Sequence, residues 1–344
     1  MTSSQTSPKS SPGTSSLAGR VVVVTGASSG IGRATVVQLR SRGAHVVLAS
    51  RSREALLEAA RGSAGGLSLV VPTDVSDADA TDALIAVAVQ RFGRVDAVVH
   101  SAAVLAYGRF EDVPAEVFDA TIATTLLGTA NVARSSLTQF ARQGGGSLVV
   151  VGSLLGKIAT PYMSSYVTAK WAVHGLVRCL QIEARSTPGV HVSLVSPGGV
   201  DTPVYAQAGT YIGRHGRPPP PVVTPEKVAR AVVRRLEHPR RDVNVGLGPS
   251  NALTVIGFRV LPGIFDIIVT PLMRAGGLQQ EAVEASAGNV LTASPSEEAV
   301  RGQWEGTRRA QAVVGAVAAA VGTAIAGLGV YRFSRRRRPR SGSS

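Results

Sequence analysis

Residues 20–51 read RVVVVTGASSGIGRATVVQLRSRGAHVVLASR, and this stretch decides the fold class. The run at 21–24 is short, wholly apolar and β-branched, which is typical of a central parallel strand covered on both faces. A glycine-rich turn follows it, then a helical pattern that continues through Arg42, and then a second apolar run at 45–49. The order strand, helix, strand predicts one unit of an α/β sheet.

The same alternation continues along the chain. Further apolar runs lie at 67–71, 95–101, 147–151 and 242–246, and helical patterns lie at 77–92, 114–142 and 225–237. Strands that alternate with helices imply a parallel sheet with right-handed crossovers. We therefore predict an α/β fold: a Rossmann-like, doubly wound parallel sheet of about seven strands, flanked by helices and followed by a helical extension.

The turn after the first strand has the spacing Gly-x-x-x-Gly-x-Gly, with glycines at 26, 30 and 32. Glycine permits a tight turn and lets backbone amides approach a phosphate, and the helix that follows offers the positive end of its dipole. A merely structural turn is the alternative. Between an apolar strand and a helix, however, this spacing predicts a dinucleotide site.

The end of the second strand bears on the choice of dinucleotide. An acidic residue there bonds the ribose 2′-hydroxyl of NAD, whereas an arginine accommodates the 2′-phosphate of NADP. The chain offers Ser50 and Arg51, with no carboxylate before Glu54. We therefore expect NADP as the cofactor; in the alternative, Arg51 caps a surface turn and NAD is preferred.

A second stretch, GSLLGKIATPYMSSYVTAK at 152–170, carries candidate catalytic residues. Tyr166 and Lys170 stand at i and i+4, so their side chains lie on one face of a helix. A lysine beside a phenol lowers the pKa of the phenol toward a value useful for proton transfer. Such a pair also occurs by chance on helix surfaces, but the whole chain contains four lysines, which makes an accidental one here less expected.

Several motifs occur together in a recognisable order: TGASSGIG at 25–32, Asp74, Ser153, Tyr166 with Lys170, and SPG at 196–198 followed by Thr202. With them, residues 18–248 closely resemble the classical short-chain dehydrogenase/reductase family. The resemblance implies that Tyr166 is the general acid and that Lys170 holds the nicotinamide ribose and lowers the pKa of Tyr166. It implies that Ser153 bonds the substrate oxygen.

The resemblance also implies a cofactor site in which Asp74 and Val75 flank the adenine and the Gly198 loop seats the carboxamide. Its expected members are Gly26, Ser28, Gly30, Ile31, Gly32, Arg51, Asp74, Val75, Ala102, Tyr166, Lys170, Gly198, Val200 and Thr202. No metal is expected. The implied activity is hydride transfer between NADP(H) and a carbonyl or secondary alcohol. The alternative is a non-catalytic, membrane-anchored NADP-binding scaffold or sensor.

Two positions depart from the family pattern. Family members usually carry Asn-Asn-Ala-Gly after the fourth strand, whereas this chain reads HSAA at 100–103. In TTLLGT at 124–129, Thr125 replaces the asparagine that is the family's fourth catalytic residue. That asparagine helps to hold a water linking the lysine to solvent, so we include Thr125 in the catalytic set and expect a slower or rerouted proton relay.

The net charge of +14 suggests nucleic-acid binding, but its distribution argues against that class of partner. Six arginines lie in the last thirteen residues, and the remaining excess is spread along the chain. A nucleic-acid binder would show a clustered basic face with interleaved aromatics. The single cysteine, Cys179, excludes an intramolecular disulfide.

The composition divides the chain into segments. We predict a disordered lead-in at 1–18, a catalytic domain at 19–248, an apolar extension at 249–283, a polar linker at 284–310, a membrane segment at 311–331 and an arginine-rich tail at 332–344. The extension at 249–283 could line the substrate entrance, mediate dimerisation or lie on a membrane; we favour packing on the enzyme core.

The twenty uncharged residues at 312–331 are long enough to span a bilayer core, and an interfacial helix on the membrane surface fits the same segment. A buried or flexible Ala/Gly-rich segment is the alternative. We expect a membrane-associated enzyme with its catalytic domain in the cytoplasm, or alternatively a soluble cytoplasmic one. This setting favours a hydrophobic small-molecule substrate. A homo-oligomer is also expected.

Overall fold

The computed structural model describes residues 17–294, 298–302 and 304. Seven parallel strands form its central sheet, in the spatial order β7-β6-β5-β4-β1-β2-β3. The strands are β1 (Val21–Thr25), β2 (His45–Ser50), β3 (Ser68–Pro72), β4 (Ala97–His100), β5 (Gly146–Val151), β6 (Val190–Pro197) and β7 (Asp242–Val245). The predicted Rossmann-like sheet is confirmed.

Helices cover both faces of the sheet. They are α1 (Gly30–Ser41), α2 (Arg53–Arg61), α3 (Ala78–Phe92), α4 (Ala115–Ile122), α5 (Gly128–Gln143), α6 (Ser164–Glu183) and α7 (Pro225–Glu237). Apolar side chains of α1, α2 and α7 pack with Val22 and Val24 on one face, and those of α3, α5 and α6 pack with Val23 on the other. This two-sided burial explains why β1 is wholly apolar. The helix predicted at 114–142 is broken by a π-helical turn, Ala123–Leu127.

His100, at the end of β4, lies within hydrogen-bond distance of side chains of β1 and α5. Its Nδ1 lies 2.8 Å from the Thr25 hydroxyl of β1, and its Nε2 lies 2.9 Å from the Thr129 hydroxyl of α5. The ring is buried. Burial, and then the charge of Lys170, lower the pKa of His100 to about 3. The imidazole is therefore neutral, so one nitrogen donates while the other accepts.

Substituting His100 by asparagine, the residue usual in the family, is expected to reduce acid sensitivity. Because its folded pKa lies below the unfolded value, the contribution of His100 to stability is complete above about pH 6.5 and is lost as pH falls toward 3. Between pH 7 and pH 4, the wild type should lose about 3 kcal/mol more unfolding free energy than His100→Asn. Urea denaturation across this pH range measures it. An equal loss of unfolding free energy in the two proteins would contradict the lowered pKa of His100.

The apolar extension forms two helices, α8 (Ser250–Val260) and α9 (Pro262–Leu272). Phe258 joins them to the domain, since its ring lies 6.1 Å from that of Trp171 on α6 and 5.1 Å from that of Phe265. After a π-helical turn, Met273–Gly277, the strand Leu278–Ala282 pairs antiparallel with Arg214–Gly216. Two further short parallel pairs are Ala106–Tyr107 with Gly209–Thr210 and Gly199–Val200 with Val222–Val223.

The segment expected to be a polar linker, 284–310, packs on the domain over its described part. Ser286 and Thr210 exchange backbone hydrogen bonds of 2.9 and 2.8 Å, and the amide of Asn289 donates to the Gln207 carbonyl at 2.8 Å. The Val290 side chain is 2% exposed. These backbone bonds and the buried valine hold the segment against the core, so the structure differs here from the sequence-based division.

The predicted membrane segment at 311–331 lies outside the described residues, as do 1–16 and the tail at 332–344. Leu17, also assigned to the lead-in, is buried in the core. Within the described part of the chain, no helix is both long and apolar enough to cross a membrane.

Candidate active site

A cavity of about 940 Å³ opens at the carboxyl ends of the central strands. The residues that follow β1, β4, β5 and β6 in the chain (Gly26, Ser101, Gly152 and Gly198) line it. This edge is where parallel α/β sheets bind their ligands. Every residue of the predicted site lines the cavity except Thr125.

The glycine turn forms one end of the cavity. Gly26 has φ +66, and a Cβ on it would lie 2.8 Å from the Ala102 amide nitrogen. A Cβ on Gly32 would overlap the Gly26 carbonyl. The turn thus needs glycine at both positions to bring β1 and α1 together. The α1 cap, Ser29, makes no side-chain cap bond and the first turn has no acidic residue, which suits the binding of an anion.

Basic and hydroxyl groups surround that end of the cavity. Arg51 follows β2, Arg33 stands in the first turn of α1, and the Ser28 side chain lies in the glycine turn. A helix amino terminus, the Arg51 guanidinium and a hydroxyl are a donor set that fits the phosphates of a dinucleotide. Arg33 does not line the cavity and pairs with Glu58 at 2.7 Å. At the other side of the turn, Thr202 lies 3.1 Å from the position of a Cβ on Gly30.

The three candidate catalytic residues converge on the middle of the cavity. Ser153 follows β5, and its hydroxyl accepts from the Leu155 amide at 3.1 Å and is hydrogen-bonded to the Tyr166 phenol. Lys170 is buried one turn further along α6. Its Nζ donates to the Val151 carbonyl at 3.0 Å and lies 5.6 Å from the centre of the Tyr166 ring.

The ionisation of this cluster differs from the sequence-based expectation. Burial raises the pKa of Tyr166 to about 12 despite the hydrogen bond from Ser153. In this arrangement the Lys170 ammonium bonds to the Val151 carbonyl and not to the phenol, so the lowering of the Tyr166 pKa by Lys170 stays a prediction. Burial also lowers the pKa of Lys170 to about 8. At neutral pH the phenol thus holds its proton, which is the form a proton donor requires.

Thr125 lies in the π-helical turn between α4 and α5 and is fully buried. Its hydroxyl donates to the Val104 carbonyl at 3.2 Å and accepts from the Val104 amide at 3.3 Å. The neighbouring Thr124 lines the cavity in its place. A role of Thr125 in a proton relay stays a prediction.

The far end of the cavity is apolar. Tyr205 lines it, whereas Tyr211 and Ile212 pack elsewhere. The extension supplies most of this wall: Leu253, Ile256, Val260, Leu261, Ile264, Phe265, Ile268, Val269, Leu272 and Met273. Lining the substrate entrance was one of the alternatives left open for this segment.

Sequence reasoning missed the carboxyl-terminal residues that reach the cofactor end. Asn289, Ala293 and Glu298 line the cavity there. Arg51 donates to the Asn289 carbonyl at 2.6 Å. Nothing local in the sequence indicated these contacts, because they join residues more than 230 positions apart.

Comparison with known proteins agrees with this geometry. The model of the short chain dehydrogenase family matches residues 20–211. The uncharacterized oxidoreductase YxnA of Bacillus subtilis (strain 168) is 33% identical over 74% of this chain and 72% of its own length. An uncharacterized oxidoreductase of Staphylococcus aureus (strain USA300) is 35% identical over 67% of this chain and 95% of its own.

Solved structures give the same result. An alcohol dehydrogenase from Thermococcus sibiricus, complexed with 5-hydroxy-NADP, is 32% identical with a TM-score of 0.57, covering 66% of this chain and 95% of that one. A short-chain dehydrogenase/reductase from Burkholderia phymatum, in complex with NAD, is 25% identical with a TM-score of 0.63. The match covers 74% of this chain and 97% of that one. The chain therefore belongs to the short-chain dehydrogenase family and is an oxidoreductase of that type.

Proposed function

We propose that the protein transfers hydride between NADP(H) and the carbonyl or secondary alcohol carbon of a hydrophobic substrate. The observation that carries the proposal is the convergence of Ser153, Tyr166 and Lys170 in one cavity. A phosphate-binding glycine turn forms one end of this cavity and an apolar wall forms the other. The residues for proton supply thus lie between a place for the cofactor and a place for an apolar substrate.

Each residue has a task that follows from its surroundings. The Tyr166 phenol, protonated at neutral pH, donates its proton to the carbonyl oxygen of a substrate being reduced. Ser153 donates a hydrogen bond to the same oxygen and stabilises its developing charge. Lys170 keeps a positive charge beneath the phenol and holds ribose hydroxyls. The cofactor, when bound, supplies or accepts the hydride at its nicotinamide ring.

The preference for NADP over NAD rests on Arg51, which directly follows the second strand, where an NAD-preferring site would carry a carboxylate. Among solved relatives, the Thermococcus sibiricus enzyme and a metagenomic oxidoreductase (29% identical, TM-score 0.58, covering 68% of this chain and 98% of that chain) were complexed with NADP forms. The Burkholderia phymatum relative was in complex with NAD.

A hydrophobic substrate is supported by the wall of α8 and α9. For a series of unbranched methyl ketones, KM should fall about fourfold for each added methylene that this wall covers. NADPH oxidation at 340 nm measures the series. A KM independent of chain length would contradict an apolar substrate.

Two neighbouring isoleucines provide a matched test of the same wall. Ile268 lines the cavity, whereas Ile267 is 77% exposed and does not. Ile268→Asn is expected to raise KM for the longest ketone about tenfold, because a polar amide replaces apolar area that the bound substrate would cover. Ile267→Asn should leave KM within about twofold. Equal effects of the two substitutions would place the substrate elsewhere.

A non-catalytic NADP-binding protein is the second candidate, favoured by one observation: the Thr125 hydroxyl is engaged with Val104. Such a protein would bind NADP(H) without turnover that depends on Tyr166. Self-association remains a prediction for either candidate.

A further inference from the structure

Residues 298–302 and Trp304, hereafter the strap, cross the cofactor end of the cavity. The amide of Gly30 donates to the Ala299 carbonyl at 2.8 Å. Arg33 donates to the Glu298 carbonyl at 3.2 Å, and the Glu298 carboxylate is hydrogen-bonded to Ser28. Three donors of the phosphate-binding end are thus engaged by oxygen atoms of the strap.

The positions of these oxygens match those that a phosphate requires. Gly30 is the first residue of α1, so its amide belongs to the unpaired, positively polarised end of the helix. A carbonyl oxygen and a carboxylate near it offer the negative charge that a phosphate would offer. Arg33 and Arg51 also interact electrostatically with Glu298. The strap therefore occupies the groups on which dinucleotide binding depends.

On these contacts, and given the proposed cofactor, we propose that the strap is an internal competitor of the dinucleotide: Ala299 and Glu298 stand in for phosphate oxygens and must leave before the cofactor binds. Strap and cofactor then exclude each other at Ser28, Gly30 and Arg33. The fraction of molecules in which the strap is docked therefore sets the apparent affinity for NADP(H).

The contacts that attach the strap to the domain allow it to be released. Asp201 accepts from the amides of Gly302 and Trp304 at 3.1 and 2.8 Å, and Arg301 pairs with Glu226 at 3.1 Å near the surface. Such a surface pair contributes little. One carboxylate oxygen of Glu298 is buried without a hydrogen-bond partner, and burial raises the pKa of this carboxyl. Docking of the strap thus carries a desolvation cost.

Hydrogen exchange in the full-length wild type tests the proposal directly. The amides of Gly302 and Trp304 are protected by Asp201 only while the strap is docked. Saturating NADP⁺ is expected to accelerate exchange in the peptide containing them. Slower exchange on NADP⁺ binding would overturn the proposal, because it would mean that the strap closes over the cofactor and clamps it.

A single substitution on the strap provides an independent measurement. A Cβ on Gly302 would overlap the Thr202 carbonyl and the Trp304 ring, so a side chain there cannot be accommodated while the strap is docked. Gly302→Val should lower Kd for NADP⁺ about tenfold, which corresponds to a strap docked in roughly nine of ten wild-type molecules. Gly263→Val, the same change where a Cβ meets no atom, serves as the control and should leave Kd unchanged.

The possible results distinguish a failure of the strap proposal from a failure of the proposed function. If the wild type binds NADP⁺ and the Gly302→Val variant binds it equally or more weakly, the proposal that the strap competes with the cofactor is overturned. The proposed cofactor then stands. If neither protein binds NADP⁺ or NAD⁺, both the proposed cofactor and the proposed role of the strap are overturned. Calorimetry measures these affinities without any need for turnover.

Discussion

Tyr166→Phe is expected to lower kcat for ketone reduction by about 10³-fold and to leave Kd for NADP⁺ within about threefold. The change removes only the phenolic hydroxyl, which is hydrogen-bonded to Ser153 and is the proposed proton donor. Lys170, buried and bonded to Val151, keeps its position. Steady-state NADPH oxidation and calorimetric titration of NADP⁺ measure the two effects separately.

Tyr205 provides the matched control for that substitution. It lines the same cavity, and burial likewise raises its pKa, yet it makes no hydrogen bond to Ser153 among the described contacts. Tyr205→Phe should therefore change kcat less than about fivefold. If Tyr166→Phe retained more than a tenth of the wild-type kcat, Tyr166 would not be the proton donor.

The second large effect concerns Arg51. Arg51→Ala is expected to weaken NADP⁺ binding by roughly 10- to 100-fold and NAD⁺ binding by less than about threefold, since a charged hydrogen bond contributes roughly 1.5–3 kcal/mol. Arg51 also bonds to Asn289 in the structure, and loss of that contact affects both cofactors equally. The ratio of the two dissociation constants therefore isolates the contact with the 2′-phosphate.

Arg53→Ala is the control for the general loss of positive charge. Arg53 begins α2 two residues further on and does not line the cavity. Its substitution should leave the ratio of dissociation constants within about twofold. A wild type that prefers NAD⁺, or an Arg51→Ala variant with an unchanged ratio, would contradict the NADP preference.

The sheet was predictable because its signals are local. The apolar run of β1 reflects burial on both faces, and the glycines at 26 and 32 are dictated by contacts of the turn with Ala102 and with itself. Likewise, the spacing of Tyr166 and Lys170 follows from helix geometry alone. The break between α4 and α5 was not predictable, since a π-helical turn leaves no mark on a helical pattern.

Features that depend on distant parts of the chain were not predictable. The raised pKa of Tyr166 results from burial, whereas the sequence showed only a nearby lysine. The strap reaches Gly30 from Ala299, so its contacts exist only in the folded chain. The polar composition at 284–310 suggests a linker. The packing of its described part on the domain was not predictable, because backbone hydrogen bonds to Gln207 and Thr210 do not depend on side-chain type.

Deuterium transfer tests the central claim most directly. The full-length wild type is incubated with NADPH deuterated at both C4 positions and with a panel of aliphatic, steroid and aromatic ketones. We expect deuterium at the carbinol carbon of at least one product, and transfer about 10³-fold slower with Tyr166→Phe under the same conditions. Absence of transfer to every ketone, by a wild type that binds NADP⁺, would contradict hydride transfer and favour a non-catalytic binding protein.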